Sequence, residues 1–97
     1  MEAARPGWTF LTNHAHVLVC ISRDPDVRAR DIADAVGITE RAVLAIISDL
    51  VEAGYLEREK VGRRNRYTVV ADKPFRHPLE RHAAVRVLLD AVAHQQA

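Results

Sequence analysis

The fold is decided by residues 27–67, which read VRARDIADAVGITERAVLAIISDLVEAGYLEREKVGRRNRY. This stretch predicts two short helices joined by a tight glycine turn and followed by a basic β-hairpin. The first of the two helices is expected over residues 30–36, with Ile32 and Val36 on one face. Gly37 follows at a position where a helix end favours a residue that tolerates a left-handed backbone.

The second of these helices, the third of the chain, is predicted from Thr39 to about Ala53. Thr39 is a good N-cap because its hydroxyl can accept a hydrogen bond from a backbone N–H of the first turn. Apolar residues then recur at the spacing i, i+3, i+4, i+7, which places one stripe of the helix against a core. The stripe consists of Val43, Ile46, Ile47 and Leu50, and Gly54 ends the helix.

A β-hairpin is predicted after the third helix. Residues 55–60 alternate enough to form a strand, and residues 66–70 are rich in β-forming side chains. Residues 61–65 between them are expected to form the tip, with Gly62 and Asn65 as the turn-forming residues.

A first helix is predicted ahead of the quoted stretch. Its N-cap is Thr12 or Asn13, and it extends to about Ser22. Pro25 prevents its continuation, because proline lacks a backbone N–H and disfavours helix in the residue before it. Residues 27–29 are expected to form a very short strand.

A last helix is predicted at the C-terminal side. Pro78 suits its first turn, and the helix is expected to extend to about His94. Trp8, Phe10 and Leu11, at the other end of the chain, are expected to pack on the core or on the terminal helix of a partner.

The composition narrows the class of protein. A length of 97 residues suits one small domain, and 48% hydrophobic with 28% charged residues is typical of a globular one. The net charge is only +1, so any binding to nucleic acid must depend on where the charges lie. A single cysteine excludes an intramolecular disulfide and fits a reducing cytoplasm. No signal peptide and no membrane-spanning run are apparent, so we expect a cytoplasmic protein without a membrane partner.

Residues 12–70 resemble the winged helix-turn-helix domain of bacterial transcription regulators of the MarR and ArsR kind. The helix-turn-helix pattern has a small residue in its first helix and a glycine four positions later, which here are Ala33 and Gly37. The flanking apolar positions are filled by Ile32, Val36, Ile38, Val43 and Ile46. LVEAGYLER, residues 50–58, looks like the family's passage from recognition helix to wing, and VGRRNRYTV looks like its wing.

The resemblance implies an α+β, mainly α fold with a three-helix core, a β-hairpin wing and a C-terminal dimerisation helix. It divides the chain into a DNA-binding unit, residues 1–74, and a C-terminal helix, residues 75–97. The implied function is a sequence-specific regulator of transcription, a dimeric repressor that reads a palindromic site in double-stranded DNA. A winged-helix module that binds only protein stays open as the alternative, because Glu40, Asp49 and Glu52 lie on the third helix.

The outward side of the third helix supplies the candidates for reading base pairs. An α-helix fits the major groove of B-DNA, and side chains of its first turns reach the base edges. Arg41 is the best candidate, since arginine can pair with both acceptors of guanine. Ala42 and Ala45 are small enough to approach thymine methyl groups closely. The candidates for contacts with the DNA backbone are Thr39, Ser48, Arg28 and Arg30.

The hairpin carries the clearer charge signal. Between Arg58 and Arg66 there are five basic residues and one acid, a local charge of +4 (five minus one) in a chain that totals +1. A run of charge is often only a solvated face, but a basic tip directly after a helix-turn-helix favours phosphate and minor-groove contacts. The wing residues predicted to contact DNA are Arg63, Arg64, Asn65 and Arg66, with the first two entering the minor groove.

The last helix carries an apolar stripe that is predicted to form the seam of a two-fold dimer. The members of the stripe are Leu79, Val85, Leu88, Leu89 and Val92. The alternative is that this helix packs only on its own domain.

Catalytic and metal-binding functions are not expected. His16 and Cys20 are four residues apart and would share a helix face, but the ligand spacing of ArsR-type metal sensors is not reproduced. We therefore predict no metal and no cofactor, assign no small-molecule effector, and expect Cys20 to be a buried, inert thiol. The sequence contains no phosphate-binding glycine loop, nucleophile elbow or paired-histidine zinc motif, so we do not expect an enzyme.

Overall fold

The computed structural model describes residues 7–93, and over that range it contains four α-helices and one antiparallel β-hairpin. In chain order the elements are α1 (Asn13–Arg23), α2 (Ala29–Val36), α3 (Glu40–Glu52), β1 (Leu56–Val61), β2 (Arg64–Val69) and α4 (Val85–Val92). This order confirms the predicted three-helix core, hairpin wing and C-terminal helix. No helix in the described range is long and apolar enough to cross a membrane.

The first helix lies where its capping residues predict. Thr12 Oγ1 accepts a hydrogen bond from the backbone N–H of Ala15 at 3.2 Å, so Thr12 is the N-cap of α1. The helix ends at Arg23, and Asp24 adopts an extended backbone because Pro25 follows it.

The predicted glycine turn joins α2 to α3. Gly37 has a φ of +88°, a left-handed conformation that a residue with a Cβ adopts only with strain. The N–H groups of Gly37 and Ile38 both donate to the carbonyl of Ala33, at 2.8 and 3.1 Å. Thr39 then caps α3, because its Oγ1 accepts from the N–H of Ala42 at 3.0 Å.

The very short strand predicted at residues 27–29 is wrong. Arg28 has an extended backbone, but α2 begins at the next residue. The edge of β2 makes one backbone hydrogen bond just before this segment, from Tyr67 N to Pro25 O at 3.1 Å. The pairing does not continue as a ladder, because the carbonyl of Arg28 accepts the first hydrogen bonds of α2.

The wing is a tight antiparallel hairpin. Its register pairs Leu56 with Val69 at the base and Val61 with Arg64 at the far end. The connection is a two-residue turn that begins at Gly62, where φ is +64°.

The tip is therefore shorter than the predicted segment 61–65. Arg64 and Asn65 belong to β2 and stay paired with β1. A glycine in the first position of the loop permits a two-residue connection, so the residues that flank it remain in register up to the turn.

The core lies between the helices and the base of the wing. The largest fully buried side chains are Val17, Ile21, Ile32, Val43, Ile47 and Leu56. Burying one such side chain contributes roughly 1.5–3 kcal/mol, and no polar or charged residue is buried within the described range. The orientation of α3 is therefore held by aliphatic packing on its inner face.

The segment before α4 does not form the helical turn that Pro78 predicts. It forms tight turns instead. Glu80 N donates to His77 O at 2.9 Å, and the backbone N–H of Leu79 donates to His77 Nδ1 at 3.0 Å. The helix begins only at Val85, and its predicted end near His94 lies outside the described residues.

Two members of the predicted dimer seam are in fact core residues of their own chain. Val85 is 2% exposed and Leu89 is 7% exposed, because α4 packs against α1. The predicted seam stays a prediction, and its exposed members are the side chains that a second copy can reach.

Arg23 joins the end of α1 to the end of α4. Its Nε donates to the carbonyl of Ala93 at 2.6 Å, and its Nη2 donates to the carbonyl of Val92 at 2.9 Å. The last carbonyls of a helix have no partners within the helix, so the guanidinium satisfies groups that otherwise depend on water.

Candidate nucleic-acid interface

The outward side of α3 presents a row of exposed side chains, Arg41, Ala45 and Ser48. Their spacing of three and four residues keeps them on one face, away from the buried stripe. Ala42 is half-buried, so less of its side chain is accessible to a ligand than in the exposed residues of the row. Thr39 is exposed, and its hydroxyl keeps a donor for an oxygen atom after it has accepted the capping bond.

Arg41 is free to bind. No hydrogen bond or ion pair within the described residues engages its guanidinium. The guanidinium presents five donors in a planar fork, which matches the two major-groove acceptors of guanine. Arg41 therefore lies in the first turn of α3 and has the hydrogen-bond donors that a base-reading residue needs.

Leu44 is an exposed residue of α3 that the sequence reasoning missed. Its side chain is 52% exposed although it is large and apolar. The signal was present, because position 44 does not fit the spacing i, i+3, i+4, i+7 that defines the inward stripe of the helix. Leu44 adds an apolar surface at the flank of the row that contains Arg41.

The start of α2 carries two exposed arginines. Arg28 is the N-cap residue and makes no side-chain capping bond, and Arg30 lies in the first turn. A cation near a helix N-terminus opposes the helix dipole, so neither arginine gains local stability from its position. Positive charge at this position does not stabilise the helix, but it can attract an anionic ligand.

The turn of the wing presents Arg63 to solvent. The side chain is exposed, and no described residue forms an ion pair or hydrogen bond with it. Lys60 and Asn65 face each other across the hairpin just behind the turn, and both are exposed. The end of the wing thus offers two cations and an amide to a phosphate or a groove.

Arg64 and Arg66 are placed differently from Arg63. Arg64 Nη2 donates to the backbone carbonyl of Asp26 at 2.6 Å, and Arg66 Nε lies 3.5 Å from Asp26 Oδ1. Both arginines therefore face the loop between α1 and α2. Arg64 and Arg66 were predicted from the sequence as DNA contacts, because no sequence pattern indicates that Asp26 lies beside the wing.

The acids of α3 do not all oppose a DNA contact. Asp49 Oδ2 lies 2.9 Å from His14 Nε2, so this carboxylate faces α1 at one flank of the helix. Glu40 lies in the first turn, where a negative charge favours the helix dipole. The outward row that begins at Arg41 contains no acid before Glu52 at the helix end.

An apolar groove lies outside the row that contains Arg41. A groove of about 510 Å³ lies between α1 and α4, and its lining includes Phe10, Leu11, Leu18, Tyr55, Phe75 and Leu88. Of the predicted seam, Leu79 is 77% exposed, Val92 is 36% exposed and Leu88 is half-buried in that groove. These three side chains are the members of the stripe that a second copy can reach.

The residues considered for metal and redox chemistry do not form a site. Within residues 7–93, no three His, Cys, Asp or Glu side chains are grouped so that they can hold a metal ion. Cys20 is partly buried, and this burial raises the pKa of its thiol, while the positive charge of Arg23 acts in the opposite direction. The raised pKa keeps the thiol in its less reactive, protonated form.

Comparison with known proteins gives the class of this domain. Residues 12–57 match the family of winged helix-turn-helix DNA-binding domains. No curated protein matches the sequence. Among solved structures, 11 chains match, and one of them is the zinc-dependent MarR family transcriptional regulator AdcR in its Zn(II)-bound state.

The match to that regulator has 20% sequence identity and a TM-score of 0.48, and it covers 72% of this chain. It covers 49% of the other chain, so this chain spans about half the length of the regulator it matches. The helix-turn-helix geometry, the hairpin and the family match over residues 12–57 agree with one another. This part of the chain therefore has the architecture of a winged helix-turn-helix DNA-binding domain.

Proposed function

We propose that this chain regulates transcription as a two-fold dimer that reads a palindromic site in double-stranded DNA, acting as a cytoplasmic repressor. The observation that carries the proposal is the exposed guanidinium of Arg41 in the first turn of α3, together with that of Arg63 at the wing tip, neither of which is engaged by a residue in the range 7–93. A repressor of this kind blocks polymerase by occupying the promoter.

The two arginines perform different tasks in this proposal. Arg41 enters the major groove and pairs with guanine, while Ala45 lets the helix approach closely. Arg63 enters the minor groove or contacts phosphate, and this supplies affinity that is largely independent of sequence. Phosphate contacts that set the register come from Arg28 and Arg30 at the start of α2 and from Thr39 and Ser48 on α3.

The dimer in this proposal uses the exposed part of the C-terminal unit, residues 75–97. Leu79 and Val92 are exposed apolar side chains there, and Trp8 and Phe10 add an exposed aromatic pair whose ring centroids are 5.0 Å apart. A two-fold seam pairs the same patch on both subunits. Two copies then present their α3 helices to successive major-groove faces, about one DNA turn apart.

Selection of genomic DNA fragments with the purified protein tests the proposal most directly. Enriched fragments should share one motif with two-fold symmetry, and fluorescence anisotropy on that motif should show binding that weakens steeply with salt. Enrichment without symmetry would contradict the dimer, and equal binding to every duplex would contradict sequence-specific reading. Failure to retain any duplex at low salt would instead favour a protein-binding winged helix.

A further inference from the structure

The loop between α1 and α2 holds the wing from one side. Asp26 accepts a hydrogen bond from Arg64 through its backbone carbonyl at 2.6 Å, and its carboxylate lies 3.5 Å from Arg66 Nε. Tyr67, the next residue along β2, donates its backbone N–H to the carbonyl of Pro25 at 3.1 Å. Three successive contacts thus join the loop to the outer edge of the wing.

Asp26 is itself held in place. Its backbone N–H donates to Asp24 Oδ1 at 3.0 Å, and Val27 N donates to Asp24 O at 3.0 Å, which closes the loop as a tight turn. The carboxylate of Asp26 is therefore presented to the wing by a short, internally bonded segment between two helices.

We propose that Asp26 is a positioning residue for DNA binding, which withholds Arg66 from DNA phosphates while Arg63 at the turn stays available to them. This inference rests on the proposed DNA-binding function. Asp26 competes with phosphate for the same guanidinium, so it lowers the affinity for DNA of any sequence. Specific contacts made by α3 then account for a larger share of the total binding.

The exposure of the pair makes this competition effective. The side chains of Arg66 and Asp26 are 56% and 54% exposed, so the ion pair is screened by water and is weak. If the carboxylate of Asp26 is removed, a DNA phosphate can bind the guanidinium of Arg66 in its place. Arg64 behaves differently, because its acceptor is a backbone carbonyl that no side-chain substitution removes.

The substitution Asp26→Asn tests the proposal, with binding to a duplex of unrelated sequence measured by anisotropy over a range of salt concentrations. One released phosphate contact should steepen the plot of log affinity against log salt by about 0.9. Affinity at low salt should rise by roughly two- to five-fold, which corresponds to the loss of one exposed ion pair. Asp26→Glu, which keeps the carboxylate, should restore the slope of the unsubstituted protein.

Asp31→Asn is the matched control. Asp31 is an exposed acid in the first turn of α2, five residues further along (31 minus 26), and none of the described residues pairs with its carboxylate. Its substitution changes the net charge equally, so it should alter the affinity slightly and leave the slope unchanged. An equal steepening in both variants would mean that Asp26 acts only through overall charge, and the proposal would be overturned.

A double substitution separates the positioning role from other effects. In an Arg66→Ala background, Asp26→Asn should no longer change the slope, because no guanidinium remains to be released. A persistent change in that background would refute the assignment to Arg66. If the unsubstituted protein binds no duplex at all, the proposed function fails, and this result is distinct from normal binding with an unchanged slope in Asp26→Asn.

Discussion

At the scale of single residues, the arginines of the wing differ in what each of them touches. The sequence predicts that the basic hairpin faces DNA, and Arg63 at the turn is free to do so. It does not predict that Arg64 faces Asp26, because the two residues are 38 positions apart and only the folded chain brings them together. Local pattern thus identifies the charged segment but not the partners of its members.

Replacing Arg41 with alanine should relax sequence specificity. A bidentate pair with guanine contributes about 1–3 kcal/mol to discrimination against the wrong base. The loss of affinity should appear on the selected site and nearly vanish on a site in which the contacted guanine is replaced. Both affinities are measured by anisotropy at fixed salt. Arg81→Ala, an exposed arginine outside the interface, is the control and should bind normally. A uniform loss across all duplexes would identify Arg41 as a phosphate contact instead.

Replacing Arg63 with alanine should weaken binding to every duplex by a similar factor. A phosphate contact carries no sequence information, and its removal reduces the salt slope by about one. Titrations of one specific and one unrelated duplex over a salt series measure both quantities. An unchanged slope on both duplexes would show that the wing tip does not contact DNA.

At the scale of elements, the helix-turn-helix was predictable because its determinants are local. Thr12 and Thr39 cap α1 and α3 as the sequence indicates, and Gly37 adopts the left-handed conformation that its position predicts. The start of α4 was not predictable, since Pro78 is compatible with a first helical turn. The observed loop is closed by the bridge between Pro74 and Ala84, which depends on two segments meeting in the fold.

The substitution Gly37→Ala should destabilise the domain. With φ at +88°, a Cβ at this position costs roughly 1–2 kcal/mol in backbone strain. Urea unfolding followed by circular dichroism should show a lower midpoint with an unchanged slope. Gly7→Ala is the matched control, because a Cβ there meets no atom within 4 Å and its backbone is not left-handed, so its midpoint should not move. Equal midpoints for the two variants would contradict the role of the turn.

At the scale of the whole molecule, the inward side of α4 is the feature that sequence could not decide. A stripe at helical spacing is equally suited to the core of the same chain and to a dimer seam. Val85 and Leu89 serve the core, whereas Leu79 lies in the loop before the helix and remains 77% exposed. The direction of the stripe depends on packing against α1, which no local pattern encodes.

Replacing Leu79 with aspartate should shift the proposed dimer towards monomer. Leu79 is exposed in the single chain, so a charge at this position should not harm the fold. In a two-fold seam the charge would be buried in both subunits, and burying unpaired charges is costly. Sedimentation velocity over a dilution series measures the shift, and thermal unfolding checks the fold. Val61→Asp is the control, since Val61 is 51% exposed on the wing, and its dimerisation should be normal. The same mass for all three proteins at every concentration would exclude Leu79 from the seam.

The two-residue turn of the wing has a consequence for how such a protein can diversify. A Cβ built at Gly62 meets no atom within 4 Å, and the exposed side chain of the neighbouring Arg63 forms no hydrogen bond or ion pair with a described residue, so the surroundings of the turn are open. Gly62 is constrained by its own left-handed backbone, whereas position 63 is not. Selection can therefore explore side chains at position 63 almost without loss of stability, while changes at Arg66 also alter the contact with Asp26. Changes in the overall affinity for DNA can therefore evolve at position 63 without disturbing the contacts that hold the wing.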